Sequence, residues 1–143
     1  MREEGDTSKA LSALYKTIKI KPDLAEAYNS LGSLLAELKQ SVKSVNAFQR
    51  AISLKPNYAE ALYNLGEAFQ DQGYFTEAIE AYNKSLTIKP DYAEAHNNKG
   101  IALQEQGKLK EAMEAYNKSL AIKPDYADAH QNMGFALLAV KDF

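Results

Sequence analysis

The chain has 143 residues, a net charge of −2 and 25% charged residues, enough for one domain and without the positive excess that draws nucleic acid or an acidic membrane surface. It has no cysteine, which excludes disulfides and thiolate chemistry. No stretch is long and apolar enough to span a bilayer, and the Met1-Arg2-Glu3-Glu4 start lacks the apolar core of a signal peptide, so the expected location is the cytoplasm.

Taken in chain order, residues 1–21 read as the second helix of an incomplete repeat, with Gly5 and Ala10 in register with Gly73 and Ala78. Four prolines follow, Pro22, Pro56, Pro90 and Pro124, each 34 residues after the last. A fixed period of this length marks a stacked repeat architecture. The period divides the chain into repeats at 22–55, 56–89 and 90–123, then a first helix over 124–143 that stops mid-repeat. The second and third repeats share the run Glu-Ala-Tyr-Asn-Lys-Ser-Leu at 80–86 and 114–120.

Within a repeat the spacing predicts two helices. Asp91 and Glu94 stand three apart, as in a capping box that would satisfy free amides at a helix start, and the pair recurs as Asp23/Glu26, Asn57/Glu60 and Asp125/Asp128. The first helix runs to Gly107, suited to a left-handed stop. The second spans about Lys108 to Ile122 and ends at Pro124, which cannot continue it. Apolar residues recur at helical spacing through Ala95, Leu103, Leu109, Ala112, Tyr116 and Leu120, and no strand-like alternation interrupts them. One helix pair cannot bury such a stripe alone, so neighbouring repeats must stack. Lys39 stands where the other repeats have a glycine between helices, which predicts a less regular turn there. Lys99 falls at an apolar core position, where its stem can pack while the ammonium reaches water.

These residues resemble the tetratricopeptide repeat. Its pattern of a large residue, Leu-Gly, a bulky residue, Ala, an aromatic, a small residue and Pro appears as Leu62, Leu65-Gly66, Phe69, Ala78, Tyr82, Ser85 and Pro90. In the next repeat it is His96, Lys99-Gly100, Leu103, Ala112, Tyr116, Ser119 and Pro124. The resemblance implies an all-α fold, a right-handed α-solenoid of antiparallel helix pairs whose first helices line a concave groove.

Catalytic chemistry finds no constellation. His96 and His130 are one period apart and share a position with Tyr28 and Leu62, so they read as partly buried packing residues rather than metal ligands. The sequons at Asn83 and Asn117 place Ser85 and Ser119 in the small core slot. The carboxylates mostly recur by repeat, as capping and solvated faces do. The expectation is a binding protein, not an enzyme, with no cofactor and no metal.

Carried over by position, the groove implied by the resemblance has Asn29, Tyr63, Asn97 and Gln131 in one row and Ser30, Asn64, Asn98 and Asn132 in the next. Ser33, Glu67, Ile101 and Phe135 form a third row, and Ala36, Gln70, Gln104 and Leu138 a fourth. Side-chain amides donate and accept, so the Asn64/Asn98/Asn132 row suits the backbone of an extended peptide; tying neighbouring helices together is the alternative. The row is similar to the asparagine ladder in the repeat arm of O-linked N-acetylglucosamine transferases, broken here by Ser30. Glu37, Glu67, Asp71 and Glu105 make the groove acidic and favour a neutral or basic protein segment. No basic stripe with interleaved aromatics marks a nucleic-acid surface, and no membrane partner is expected. Phe135, Leu138, Val140 and Phe143 form an apolar end, for which homotypic end-to-end association is the expectation and a self-assembling scaffold the alternative function.

Overall fold

The computed structural model describes residues 4–141, so Phe143 lies outside the described residues. These form eight helices and no strand: α1 (Glu4–Ile20), α2 (Ala25–Glu37), α3 (Ser41–Leu54), α4 (Ala59–Asp71), α5 (Phe75–Ile88), α6 (Ala93–Glu105), α7 (Leu109–Ile122) and α8 (Ala127–Lys141). None of them is long and apolar enough to cross a membrane.

Each helix packs on the next, and beyond that only the even-numbered helices touch: α2 with α4, α4 with α6, α6 with α8. Such closer approach of alternate helices is the geometry of a curved stack, with α2, α4, α6 and α8 on the inner side. The core is correspondingly strung along the chain. Leu31, Leu35 and Ala47 form one cluster against α1; Phe48, Leu65, Ala68 and Ala81 form the next; Leu103, Ala112, Tyr116 and Ala136 form a third. The result is a helical-repeat solenoid.

One close contact repeats in three helix pairs. Gly32, Gly66 and Gly100 face the rings of Phe48, Tyr82 and Tyr116, and a Cβ added at any of them would stand 2.5 or 2.6 Å from a ring carbon. The facing pair straddles the interhelix turn, so the two helices run antiparallel. Buried serines add polar ties: Ser44 Oγ donates to Gly32 O, Ser85 Oγ to Ala59 O and Ser119 Oγ to Ala93 O, each at 2.8 Å. Ser85 and Ser119 are fully buried, as their core slot predicted.

Two expectations are corrected. The capping boxes do not form: the residues before α2, α4 and α6 are Leu24, Tyr58 and Tyr92, with no side-chain cap bond. Asp23 and Asp91, which follow the prolines, stand one residue before the capping position. Glu26, Glu60 and Glu94 instead sit in the first helical turn, where a negative charge faces the positive end of the helix dipole. Glu26 and Glu94 also approach Lys55 and Lys123, at 3.8 and 3.9 Å. The second correction is Lys39, whose turn is regular. It adopts φ +62°, beside +82° at Gly73 and +77° at Gly107. The closing bonds match as well: Gln40 N to Leu35 O, Tyr74 N to Phe69 O and Lys108 N to Leu103 O, at 2.9, 2.9 and 3.0 Å. Packing of the flanking helices holds the lysine in a left-handed conformation that glycine takes without strain.

Candidate functional site: the inner helical face

The inner face carries the predicted rows, and its amides bond to one another. Asn64 Nδ2 donates to Asn29 Oδ1 at 3.0 Å, Asn98 Nδ2 to Tyr63 Oη at 2.9 Å, and Asn132 Nδ2 to Asn97 Oδ1 at 3.0 Å. Each bond joins a residue to the one 35 positions earlier, on the preceding inner helix. Tying neighbouring helices, the alternative reading of the asparagine row, is therefore one role that these side chains perform. Burial corrects one member of the groove: Asn97 is 2% exposed and lies beneath the surface, its amide bonded to Asn98 and Asn132. Asn29, Tyr63, Asn64, Asn98 and Asn132 are half-buried, and Gln131 is exposed.

The third and fourth rows divide in the same way. Ile101 is half-buried and packs on the α6–α7 core cluster. Gln104 and Gln70 accept hydrogen bonds from Tyr116 Oη and Tyr82 Oη, at 2.8 and 2.6 Å. Phe135 is 55% exposed on α8, and Leu138 and Val140 are exposed beside it.

Glu67 is the centre of the polar cluster. Tyr63 and Asn98 both hydrogen-bond its carboxylate, the latter at 3.4 Å, and the Tyr63 ring lies 4.8 Å from that of Tyr92, tilted by 32°. Burial pushes the Glu67 carboxyl above its ordinary range, the neighbouring Asp71 adds to the rise, and the Tyr63 and Asn98 bonds oppose it. Burial raises the Tyr63 hydroxyl, and the Glu67 charge raises it further. Asn64, Glu67 and Asp71, with Ser33 and Ala36, line a recess of about 180 Å³ between α2 and α4. This recess presents hydroxyl, amide and carboxylate groups together, a chemistry suited to amide and ammonium groups of a polypeptide.

The histidines lie away from this face. His96 Nε2 and His130 Nε2 stand 3.0 and 2.7 Å from the Pro90 and Pro124 carbonyls, clipping the interhelix turn to the following helix. His96 is half-buried, as expected, whereas His130 is exposed. Burial lowers the His96 pKa, with the Pro90 bond opposing and the charges of Lys118 and Lys99 lowering it further. The lysines before the repeat prolines form a further motif that spacing alone did not reveal: Lys55, Lys89 and Lys123 lie over the rings of Tyr58, Tyr92 and Tyr126, at 4.4–4.8 Å. Their recurrence three residues ahead of a tyrosine was the available signal.

The sequence pattern of the tetratricopeptide repeat matches residues 58–125, and a second pattern of the same repeat matches 42–73. The chain belongs to the tetratricopeptide repeat family. Among solved structures, a crystal structure of MamA is 28% identical, with a TM-score of 0.90 over 96% of this chain and 81% of that one. A MamA structure from Desulfovibrio magneticus RS-1 is 24% identical, with a TM-score of 0.89 over 96% of this chain and 78% of that one. YrrB, described as a tetratricopeptide-repeat protein with an unusual peptide-binding site, is 24% identical with a TM-score of 0.80, over 87% of this chain and 64% of its own. No curated protein sequence matches the chain.

Proposed function

We propose that this tetratricopeptide-repeat chain is a protein-interaction module that holds an extended segment along the inner face of α2, α4, α6 and α8, without catalysis. The observation that carries the reading is the asparagine row. Asn64 and Asn132 each donate once to the preceding helix and Asn98 donates to both Tyr63 and Glu67 there, which fixes each amide in orientation. Amides held in this way meet a peptide backbone without losing further rotamer freedom. The carboxylates of Glu37, Glu67, Asp71 and Glu105 all belong to α2, α4 and α6, which favours a neutral or basic segment. The same fold supports a peptide-binding site in YrrB, although that likeness extends to the fold alone.

The test uses two unstructured Gly/Ser peptides, one interspersed with lysine and one with glutamate, titrated by calorimetry. Asn64→Ala with Asn98→Ala should weaken the lysine peptide about tenfold or more, since each lost hydrogen bond is worth about 1 kcal/mol. Far-UV circular dichroism is expected to stay helical. Unchanged affinity, or preference for the glutamate peptide, refutes the reading.

A second reading rests on α8. Phe135, Leu137, Leu138 and Val140 are 42–62% exposed along this helix, an apolar surface that a second copy would cover, making the chain a self-assembling scaffold. Light scattering decides it, and a strictly monomeric protein at high concentration rules out the homotypic contact.

A further inference from the structure

A recess lies on the other side of α4, among α3, α4 and α5. Its volume is about 650 Å³, within the range of sites that take a ligand group. Leu62, Leu65, Ile52, Phe69 and Ile88 line it, and Glu77 and Glu80 line it from α5 together with Lys84. None of these belongs to the asparagine rows.

The same recess recurs one repeat later among α6 and α7, and there it shrinks to about 90 Å³. His96 and Lys99 replace Leu62 and Leu65 at the matching positions, while Glu111, Glu114 and Lys118 repeat Glu77, Glu80 and Lys84. Lys99 is half-buried; burial and Lys118 lower its pKa, and the Glu111 charge raises it. The later recess is thus lined by its own lysine, beside Glu111, Glu114 and Lys118. In the middle repeat the lysine is replaced by Leu65 and the space is open, its rim carrying Glu77 and Glu80 beside Lys84. One repeat earlier the rim is Lys43, Asn46 and Arg50, of opposite sign.

From this internal comparison we infer that the α3–α4–α5 recess is a second docking site, on the outer side of the solenoid, for a protein segment that presents a lysine or arginine beside a bulky apolar side chain. The apolar side chain packs on Leu62, Leu65 and Phe69. The cation meets Glu77 and Glu80, two carboxylates against the single Lys84 on this rim. This site does not depend on the inner-face reading, since the two share no residue.

Two short peptides test it, each with one central phenylalanine, flanked by lysine in the first and glutamate in the second. Titration into protein with labelled Ile and Leu methyl groups should shift Ile52, Leu62, Leu65 and Ile88 with the lysine peptide only. Leu65→Lys, which copies a residue the chain already accommodates at the same repeat position, should weaken binding about tenfold by filling the recess. Glu77→Gln with Glu80→Gln should weaken binding and flatten its salt dependence, while Asn64→Ala with Asn98→Ala leaves it unchanged. Absence of methyl shifts, equal response to both peptides, or full binding by the Leu65→Lys protein overturns the proposal.

Discussion

Gly66 and Gly134 occupy the same position of the repeat, yet alanine should have opposite effects at the two. At Gly66 the added Cβ would stand 2.5, 2.7 and 2.9 Å from three carbons of the Tyr82 ring. Carbon atoms rest at about 3.5–4.0 Å, so the ring would have to retreat by about 1 Å. It has nowhere to go: Tyr82 is fully buried, and its hydroxyl is held by Gln70 at 2.6 Å. Overpacking of this kind costs about 1–3 kcal/mol, and the rigid ring places Gly66→Ala at the upper end. Replacing a helical glycine returns about 1 kcal/mol, leaving a net loss of about 2 kcal/mol. At Gly134 nothing lies within 4 Å of the added Cβ, so only the helix term remains. Gly134→Ala should then stabilise α8 by up to about 1 kcal/mol. Urea titration followed by circular dichroism measures the first, and amide hydrogen exchange within α8 isolates the second, since stability in stacked repeats is partly local. If Gly66→Ala is neutral or stabilising, the ring yields and the close-contact argument fails.

Other substitutions probe different links. Lys39→Gly should raise the melting temperature, by a stabilisation of about 0.5–1 kcal/mol, because φ +62° is strained for lysine; a lower melting temperature would show that the side chain outweighs the backbone. Glu67→Gln should stabilise the protein at neutral pH, by less than about 1 kcal/mol because the carboxylate is still partly wetted. The sign follows from its raised pKa: between the unfolded value of 4.5 and the higher folded one, the native state binds more protons. Wild-type stability from this group therefore falls as pH rises through that window, and the advantage of glutamine should fade as pH drops below it. An advantage that grows with acidity contradicts the assignment.

Proline and glycine spacing made the helix ends legible, since Gly73 and Gly107 do take positive φ and helices stop before each proline. The fold was readable for the same reason: a stripe repeating every 34 residues has few ways to be buried. The capping boxes misled because Asp-x-x-Glu spacing fixes a separation along the chain, whereas capping depends on where the first helical amide falls. Lys39 misled in the opposite direction, because a local preference of about 1 kcal/mol yields to the packing of two helices.

Within the inner face, the sequence alone determined which residues share a repeat position, because register is a property of the chain. Only the tertiary structure decided what those positions do. Asn97 and Asn98 are neighbours in sequence, yet one is buried as an acceptor and the other half-exposed beside Glu67. The outer recess is also invisible in one repeat, since α3, α4 and α5 together enclose it. Hydrogen bonds between residues 35 apart and the space among three helices depend on how repeats stack. That stacking rests on contacts across the repeat boundary, such as Asn64 to Asn29, which no local pattern measures.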